Sequence, residues 1–135
     1  MERPDTAGFS LPELLITLTI VAILATITVP SYNGLVARSR RSDAMAELAL
    51  VQLAQQRWRV RHASYAQDLE TLGRSATVST DAYYRLRIEQ ADAFDFQVLA
   101  QPQGTQRADP CGTFAMGANG PVYSAGYASR DCWNR

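Results

Sequence analysis

The sequence predicts an α+β fold in which one long N-terminal α-helix packs on a small antiparallel β-meander. The residues from Leu14 to Val29 form an apolar run without a charge, and a helical pattern continues to about His62. Beyond residue 80, short alternating segments separated by turn residues predict strands. Four short strands with one apolar face need a cover, which the long helix supplies.

The composition excludes several classes of protein. The chain has 135 residues, and its 13 basic and 13 acidic residues leave no net charge, which argues against a polybasic nucleic-acid arm. With 47% apolar residues, disorder is not expected. One histidine and two cysteines are too few for an ordinary zinc site. We expect no metal, no cofactor and no enzymatic activity, because no catalytic constellation accompanies His62.

The apolar run is long enough to cross a membrane. From Leu11 to Val29 it comprises 19 residues, interrupted only by Pro12 and Glu13. A helix of this length covers roughly 28 Å, about one hydrocarbon thickness. An ordinary secretory signal peptide is disfavoured, since the first eight residues are not basic and no small-x-small cleavage site follows the run. A plain one-helix anchor leaves Glu13 unexplained.

Glu13 is the informative residue of this segment. A carboxylate inside an apolar span is costly and usually has a partner or a function. Gly8 provides a flexible scission point, and cleavage of the Gly8–Phe9 bond would create an α-amino group four residues before Glu13. That cation can pair with Glu13 of the same chain or of a neighbour. Pro12 is tolerated in the first turn of a helix that begins at Phe9.

The run Gly8-Phe9-Ser10-Leu11-Pro12-Glu13, followed by the apolar stretch, resembles the prepilin signature of type IV pilins. The resemblance implies that a prepilin peptidase cleaves between Gly8 and Phe9 and that Phe9 becomes N-methylphenylalanine. It also implies that Glu13 docks the subunit into the growing fibre. The leader here is less basic than is usual in the family, and Pro12 replaces the commoner aliphatic residue.

The same resemblance sets the expected domain organisation. Residues 1–8 form the removed leader, 9–30 the transmembrane and fibre-core half of the helix, and 31–135 a head that includes the amphipathic half. Arginines follow the span more often than they precede it, which alone would place the head in the cytoplasm. The cysteines and the resemblance favour the periplasm. We therefore expect an inner-membrane protein with a periplasmic head, which later enters the surface pilus.

Pro30 and Gly34 follow the apolar run and weaken the helix there. By resemblance, the segment between them is expected to melt locally in the fibre. The alternative is that Pro30 simply ends the span.

Beyond Leu35 the helix shows two apolar stripes, which suggest burial on two sides. We expect the stripe that includes Trp58 to pack on the sheet and the other stripe to face neighbouring helices in an assembly. The first stripe contains Ala44, Leu48, Val51, Gln55, Trp58 and His62, and the second contains Ala46, Ala49, Leu50, Leu53 and Val60.

The rest of the head is expected to be an irregular connection followed by four strands. The connection covers residues 68–81. In the first hairpin, Phe94 is assigned to the core face with Phe96, and residues 90–93 form the link. In the second, Asn119-Gly120 is a favoured turn pair. The strands are predicted at 84–88, 94–100, 113–116 and 122–124.

Cys111 and Cys132 are expected to form a disulfide, because the chain carries an export signal and an even number of cysteines. A bridge over this separation would contribute roughly 3 kcal/mol. Pilins similarly close a C-terminal loop with a disulfide. The segment Asp109–Thr113 and the pair Cys132-Trp133 look most like the PilE-type minor pilins.

Two sets of arginines are candidates for contact with nucleic acid. Arg85 and Arg87 share a strand face opposite the core and can reach a DNA backbone, although a solvated face is favoured by the zero net charge. Of the helix arginines, only Arg57 and Arg61 share a face. His62 is assigned a structural role at the end of the helix.

The sequence thus predicts a minor pilin, a structural subunit that helps to initiate and assemble a type IV pilus. The expected partners are the prepilin peptidase, other major and minor pilins, the inner-membrane assembly platform and, before assembly, membrane lipid. Nucleic acid is a possible but less favoured partner. The alternatives are a pseudopilin of a type II secretion system, a DNA-binding competence pilin and, least favoured, an enzyme on a membrane anchor.

Overall fold

The structure, a computed structural model, describes residues 8–74 and 78–134. The chain divides into two compact units, one ending at Leu35 and the other comprising Val36–Arg135. Helix α1 (Leu11–Arg59) contributes to both units. The second unit is called the head below. Residues 1–7 of the expected leader and residues 75–77 of the expected connection lie outside the described part of the chain.

The head contains a four-stranded antiparallel sheet in the order β1-β2-β3-β4, which confirms the predicted meander. A 3₁₀ turn, Gly104–Ala108, follows the second strand, and the short helix α2 (Arg130–Trp133) lies near the C-terminal end. The strands are β1 (Tyr84–Ala91), β2 (Phe96–Pro102), β3 (Phe114–Gly117) and β4 (Gly120–Pro121).

The first hairpin turns later than predicted, and the assignment of Phe94 to the core was wrong. Phe94 is 90% exposed, and β2 begins two residues after it. The reason is the side chain of Asp92, whose Oδ1 accepts hydrogen bonds from the N–H groups of Phe94 (2.7 Å) and Asp95 (2.9 Å). An aspartate that binds the backbone in this way competes with the strand ladder and forms a turn.

The predicted strand at residues 122–124 was also misplaced, because β4 is only Gly120–Pro121. Gly120 already pairs with Gly117 and has a φ of 117°, a conformation that favours glycine. The next residue, Pro121, has no N–H to donate to a ladder. The N–H of Val122 makes one further bond to the carbonyl of Ala115 at 2.9 Å.

The core lies between α1 and the sheet, and the Trp58 stripe faces it as predicted. Ala44, Leu48 and Val51 are fully buried, but towards the end of the helix Trp58 is only half-buried and His62 is exposed. The opposite stripe remains exposed within the described head. Large buried residues of the sheet that complete the core are Tyr84, Leu86, Phe96, Val98 and Phe114.

Gln55 is a polar residue within the buried stripe and binds the loop that follows α1 to the helix. Its Nε2 donates to the carbonyl of Ala66 at 2.8 Å, and its Oε1 accepts from the N–H of the same residue at 2.9 Å. Gln55 is fully buried and Ala66 is 3% exposed. This pair of bonds, the Gln55–Ala66 clamp, satisfies both backbone groups of a buried loop residue.

A charged network fixes the connection after β2 against α1. Arg41 forms a bidentate ion pair with Asp109, with Nε–Oδ2 and Nη2–Oδ1 distances of 2.8 and 2.6 Å. The hydrogen bond to Asp109 raises the pKa of Arg41. Gln106 Nε2 donates to Asp109 at 2.8 Å and to the Tyr84 hydroxyl at 3.1 Å. Burial raises the pKa of Tyr84 to about 12. These contacts orient Arg41 inward.

The C-terminal segment is fastened by a disulfide between Cys111 and Cys132 with an S–S distance of 2.05 Å. Trp133 packs edge-on against Phe114, with ring centroids 5.2 Å apart. The N–H of Val122 bonds to the Ala115 carbonyl in β3. The N–H of Ala128 bonds to the carbonyl of Thr113, the residue just before β3. Cys132 and Trp133 are partly buried and pack against the core.

Candidate functional site

The predicted scissile bond lies in exposed, irregular backbone. Gly8, Phe9 and Ser10 precede α1 and have no regular structure. Phe9 is 79% exposed, so a peptidase would meet an accessible bond at Gly8–Phe9. Cleavage and methylation at this bond remain predictions.

Ser10 and Glu13 have the spacing of a capping box, which the sequence analysis missed although S-x-x-E is visible in the chain. The N–H of Ser10 donates to Glu13 Oε2 at 3.4 Å, and the Ser10 carbonyl accepts from the N–H of Leu14 at 3.2 Å. Pro12 lies in the first turn of α1, where its missing N–H leaves no intrahelical bond unmade. Glu13 therefore has a local role in starting the helix besides the docking role that the family resemblance implies.

The apolar segment that follows is suited to a lipid environment. By length and composition, α1 is the one helix among the described residues that could cross a membrane, and none of its most apolar window is buried. Its polar side chains are satisfied internally, because four threonine hydroxyls donate to backbone carbonyls about one turn earlier. These are Thr17, Thr19, Thr26 and Thr28.

The backbone of α1 is helical at both Pro30 and Gly34. The predicted melting of this segment concerns the assembled fibre, so it stays a prediction for that state.

Arg87, one of the two candidate arginines of the sheet, has acidic neighbours. Arg87 Nη2 lies 3.0 Å from Glu89 Oε1, and the same carboxylate accepts from the Tyr127 hydroxyl at 3.0 Å. Arg87 also lines an open depression of about 410 Å³ together with Asp68 and Glu70. These carboxylates offset the positive charge of Arg87, and the Arg85/Arg87 face remains an untested candidate for nucleic acid.

The C-terminal end of α1 has the opposite character. Positions 48–67 contain no acidic residue but include three arginines, Arg57, Arg59 and Arg61. The helix ends at Arg59 rather than near His62, and beyond it the N–H of Arg61 bonds to the Trp58 carbonyl three residues earlier. The side chain of Arg59 fastens the segment beyond the helix. Its Nη1 donates to the His62 carbonyl at 2.8 Å, and its Nη2 donates to the Ala93 carbonyl at 3.1 Å. Arg59 is thus used structurally.

Trp58 and His62 form a flat stack beside these arginines. Their ring centroids are 3.6 Å apart and the rings are inclined by 4°. His62 Nδ1 lies 2.9 Å from the Trp58 carbonyl and donates to it. The stack, with Arg57 and Arg61, lines an open depression of about 550 Å³. The i,i+4 spacing of the two rings was visible in the sequence, but their stacking was not predicted.

Comparison with known proteins accounts for both parts of the chain. The prokaryotic N-terminal methylation motif matches residues 3–29. The family described as "Type IV minor pilin ComP, DNA uptake sequence receptor" matches residues 30–115, more than half of the chain. The chain belongs to this family of type IV minor pilins. The predicted membership of the type IV pilins is thereby confirmed, while the narrower likeness to PilE-type minor pilins stays a prediction.

Other type IV pilins resemble this minor pilin over parts of their length. The type IV major pilin protein PilA of Myxococcus xanthus (strain DK1622) is 40% identical over 53 residues, which are 39% of this chain and 24% of that protein. The matched segment thus spans about a quarter of the curated relative.

The structure of a type IV pilin from Shewanella oneidensis aligns with a TM-score of 0.51 and 27% identity. The alignment covers 73% of this minor pilin and 99% of that chain. The predicted fold class is confirmed, and both the family and the fold are structural rather than enzymatic.

Proposed function

We propose that this minor pilin is cleaved between Gly8 and Phe9, methylated at Phe9, and then assembled into a type IV pilus. The exposed apolar segment of α1, which lies within the methylation motif at residues 3–29, carries the proposal. Before assembly the segment anchors the chain in the inner membrane with the head in the periplasm. The proposed partners are the prepilin peptidase, other pilins and the membrane assembly platform.

Mass spectrometry of sheared surface fibres tests the proposal. The N-terminal peptide is expected to begin at Phe9 and to carry one methyl group. It is expected in trace amounts, and deletion of the gene is expected to reduce fibre yield. Absence from fibres, together with failure to secrete periplasmic enzymes, would instead identify a pseudopilin of a type II secretion system.

A matched pair of variants separates docking from helix capping at the N-terminus. Glu13→Gln removes the charge but retains an oxygen that can accept from the Ser10 N–H, whereas Ser10→Pro removes that N–H and leaves the carboxylate. We expect Glu13→Gln to abolish incorporation into fibres and Ser10→Pro to retain most of it. Equal losses in the two variants would show that Glu13 acts through the start of the helix.

A second function, the binding of DNA by the head, is favoured by a specific observation. The head combines membership of a family described as a DNA uptake sequence receptor with a basic surface at the end of α1. Opposite charge attracts the phosphate backbone, and such binding weakens steeply with salt.

The test is retention of duplex DNA by the purified full chain in non-ionic detergent. We expect retention in 50 mM salt, and loss of DNA uptake when the gene is deleted. A chain that retains no duplex at low salt contradicts the DNA-binding function and leaves the assembly function standing.

A further inference from the structure

We propose that the C-terminal end of α1 contacts the sugar-phosphate backbone of DNA through Arg57 and Arg61, independently of base sequence. The inference rests on the proposed DNA-binding function and adds the surface and the mode of contact. It assigns the contact to the helix end rather than to the sheet face of Arg85 and Arg87.

Arg57 and Arg61 are placed to act together. Arg57 lies in the last turn of α1 and Arg61 in the turn that follows the helix, and both line the same depression. Both are exposed, and within the described residues neither makes an ion pair or a side-chain hydrogen bond. Two long cationic side chains beside one depression can therefore reach phosphate groups without breaking an existing contact.

The surface beside them is flat and partly apolar. The stacked rings of Trp58 and His62 lie next to Arg57 and Arg61, and Leu72 completes that wall of the depression. Such a wall limits solvation of the guanidinium groups on one side, which strengthens their attraction to an anion. The bond from His62 Nδ1 to the Trp58 carbonyl holds the imidazole in this position.

The positive charge of this surface is not offset by a carboxylate, unlike that of Arg41, Arg74 and Arg87. No carboxylate lies within the 20 residues around it in the chain, and none lines its depression. Several other arginines of the described head have partners. These include Arg40 on the Tyr83 ring, Arg41 with Asp109, Arg74 with Glu47, and Arg87 with Glu89.

Contacts of this kind give a measurable salt dependence. Each phosphate neutralised by a cation contributes about 0.9 to the slope of log affinity against log salt concentration. Two arginines on two phosphates therefore contribute about 1.8. Because the contacts are to the DNA backbone, their removal weakens binding equally for every duplex sequence.

The experiment measures anisotropy of fluorescent duplexes of several sequences, titrated with the full chain in non-ionic detergent from 50 to 200 mM salt. For Arg57→Ala/Arg61→Ala we expect weaker binding to every duplex and a slope smaller by about 1.8. The ratio of wild-type affinity to variant affinity then falls about twelvefold between 50 and 200 mM salt. Arg57→Lys/Arg61→Lys is expected to keep the slope.

Arg85→Ala/Arg87→Ala is the matched control, since it removes the same number of positive charges from the head. It is expected to leave the slope nearly unchanged. Thermal unfolding followed by tryptophan fluorescence confirms that each variant is folded, because both tryptophans lie in the head.

The outcomes separate this inference from the function on which it rests. If the wild type binds DNA and Arg57→Ala/Arg61→Ala keeps the full slope, the helix-end surface is refuted and DNA binding stands. A slope lost in Arg85→Ala/Arg87→Ala instead assigns the contact to the sheet face. If Arg57→Ala/Arg61→Ala loses affinity for some duplex sequences but not for others, a contact to the DNA backbone is contradicted. If the wild type binds no duplex at any salt concentration, both the helix-end contact and the DNA-binding function are refuted.

Discussion

Replacing Gln55 by methionine should destabilise the head far more than its position on an apolar stripe suggests. Methionine has a similar length and a good helix propensity, so the helix itself is little affected. The change removes both bonds of the Gln55–Ala66 clamp, at 2.8 and 2.9 Å. Because Ala66 is 3% exposed, its N–H and carbonyl are left without water as well.

The magnitude follows from these two orphaned groups. Each buried and unsatisfied backbone group costs about 1–3 kcal/mol. The apolar side chain in the same buried site returns about 1–2 kcal/mol. Taking the middle of each range, the net loss in the free energy of unfolding is about 2.5 kcal/mol. For a domain of this size, that lowers the midpoint of thermal unfolding by about 10 °C or more.

Two measurements check this prediction. Thermal unfolding followed by tryptophan fluorescence gives the change in midpoint, and amide hydrogen exchange at Ala66 reports the lost bond directly. Gln56→Met is the matched control, because Gln56 is the exposed neighbour of Gln55. We expect it to change the free energy of unfolding by less than about 0.5 kcal/mol. If Gln55→Met is no more destabilising than Gln56→Met, the argument from buried unsatisfied groups is refuted.

Three further predictions concern the head. Cys111→Ser/Cys132→Ser should lose about 3 kcal/mol in the free energy of unfolding, and reduction of the wild type should reproduce this loss in urea titrations. Arg41→Ala should cost about 3–5 kcal/mol because it leaves a carboxylate buried without its cation, and Arg41→Ala/Asp109→Ala should recover part of this in the same titrations. Hydrogen bonds from the backbone N–H groups of Asp95 and Phe94 lower the pKa of Asp92 below its ordinary value of 3.8. The ionised carboxylate therefore stabilises the folded head above pH 3.8, and this contribution is lost as the pH falls through the folded-state pKa. Between about pH 5 and pH 3 the unfolding midpoint of Asp92→Asn should therefore fall less than that of the wild type, and an equal fall would contradict this assignment.

Most of the N-terminal candidate site could be predicted from the sequence, since it depends on residues close together in the chain. Gly8, Phe9 and Glu13 lie within six positions, and their chemistry needs only one helical turn. The capping role of Ser10 was equally local. By contrast, the environment of Arg87 depends on Asp68 and Glu70, which the fold brings to it from another segment.

The sequence by itself determined the elements whose signals repeat along the chain. The uncharged run and the two helical stripes predicted α1 and its buried face, and alternation predicted the meander, because burial of one face imposes a period on the sequence. Only the tertiary structure decided the places where a single polar group prevails over the pattern. Asp92 turns the chain and exposes Phe94, Gln55 is buried to bind a loop, and Arg59 binds a carbonyl 34 residues away. Each of these outcomes depends on a hydrogen-bond partner that periodicity does not reveal.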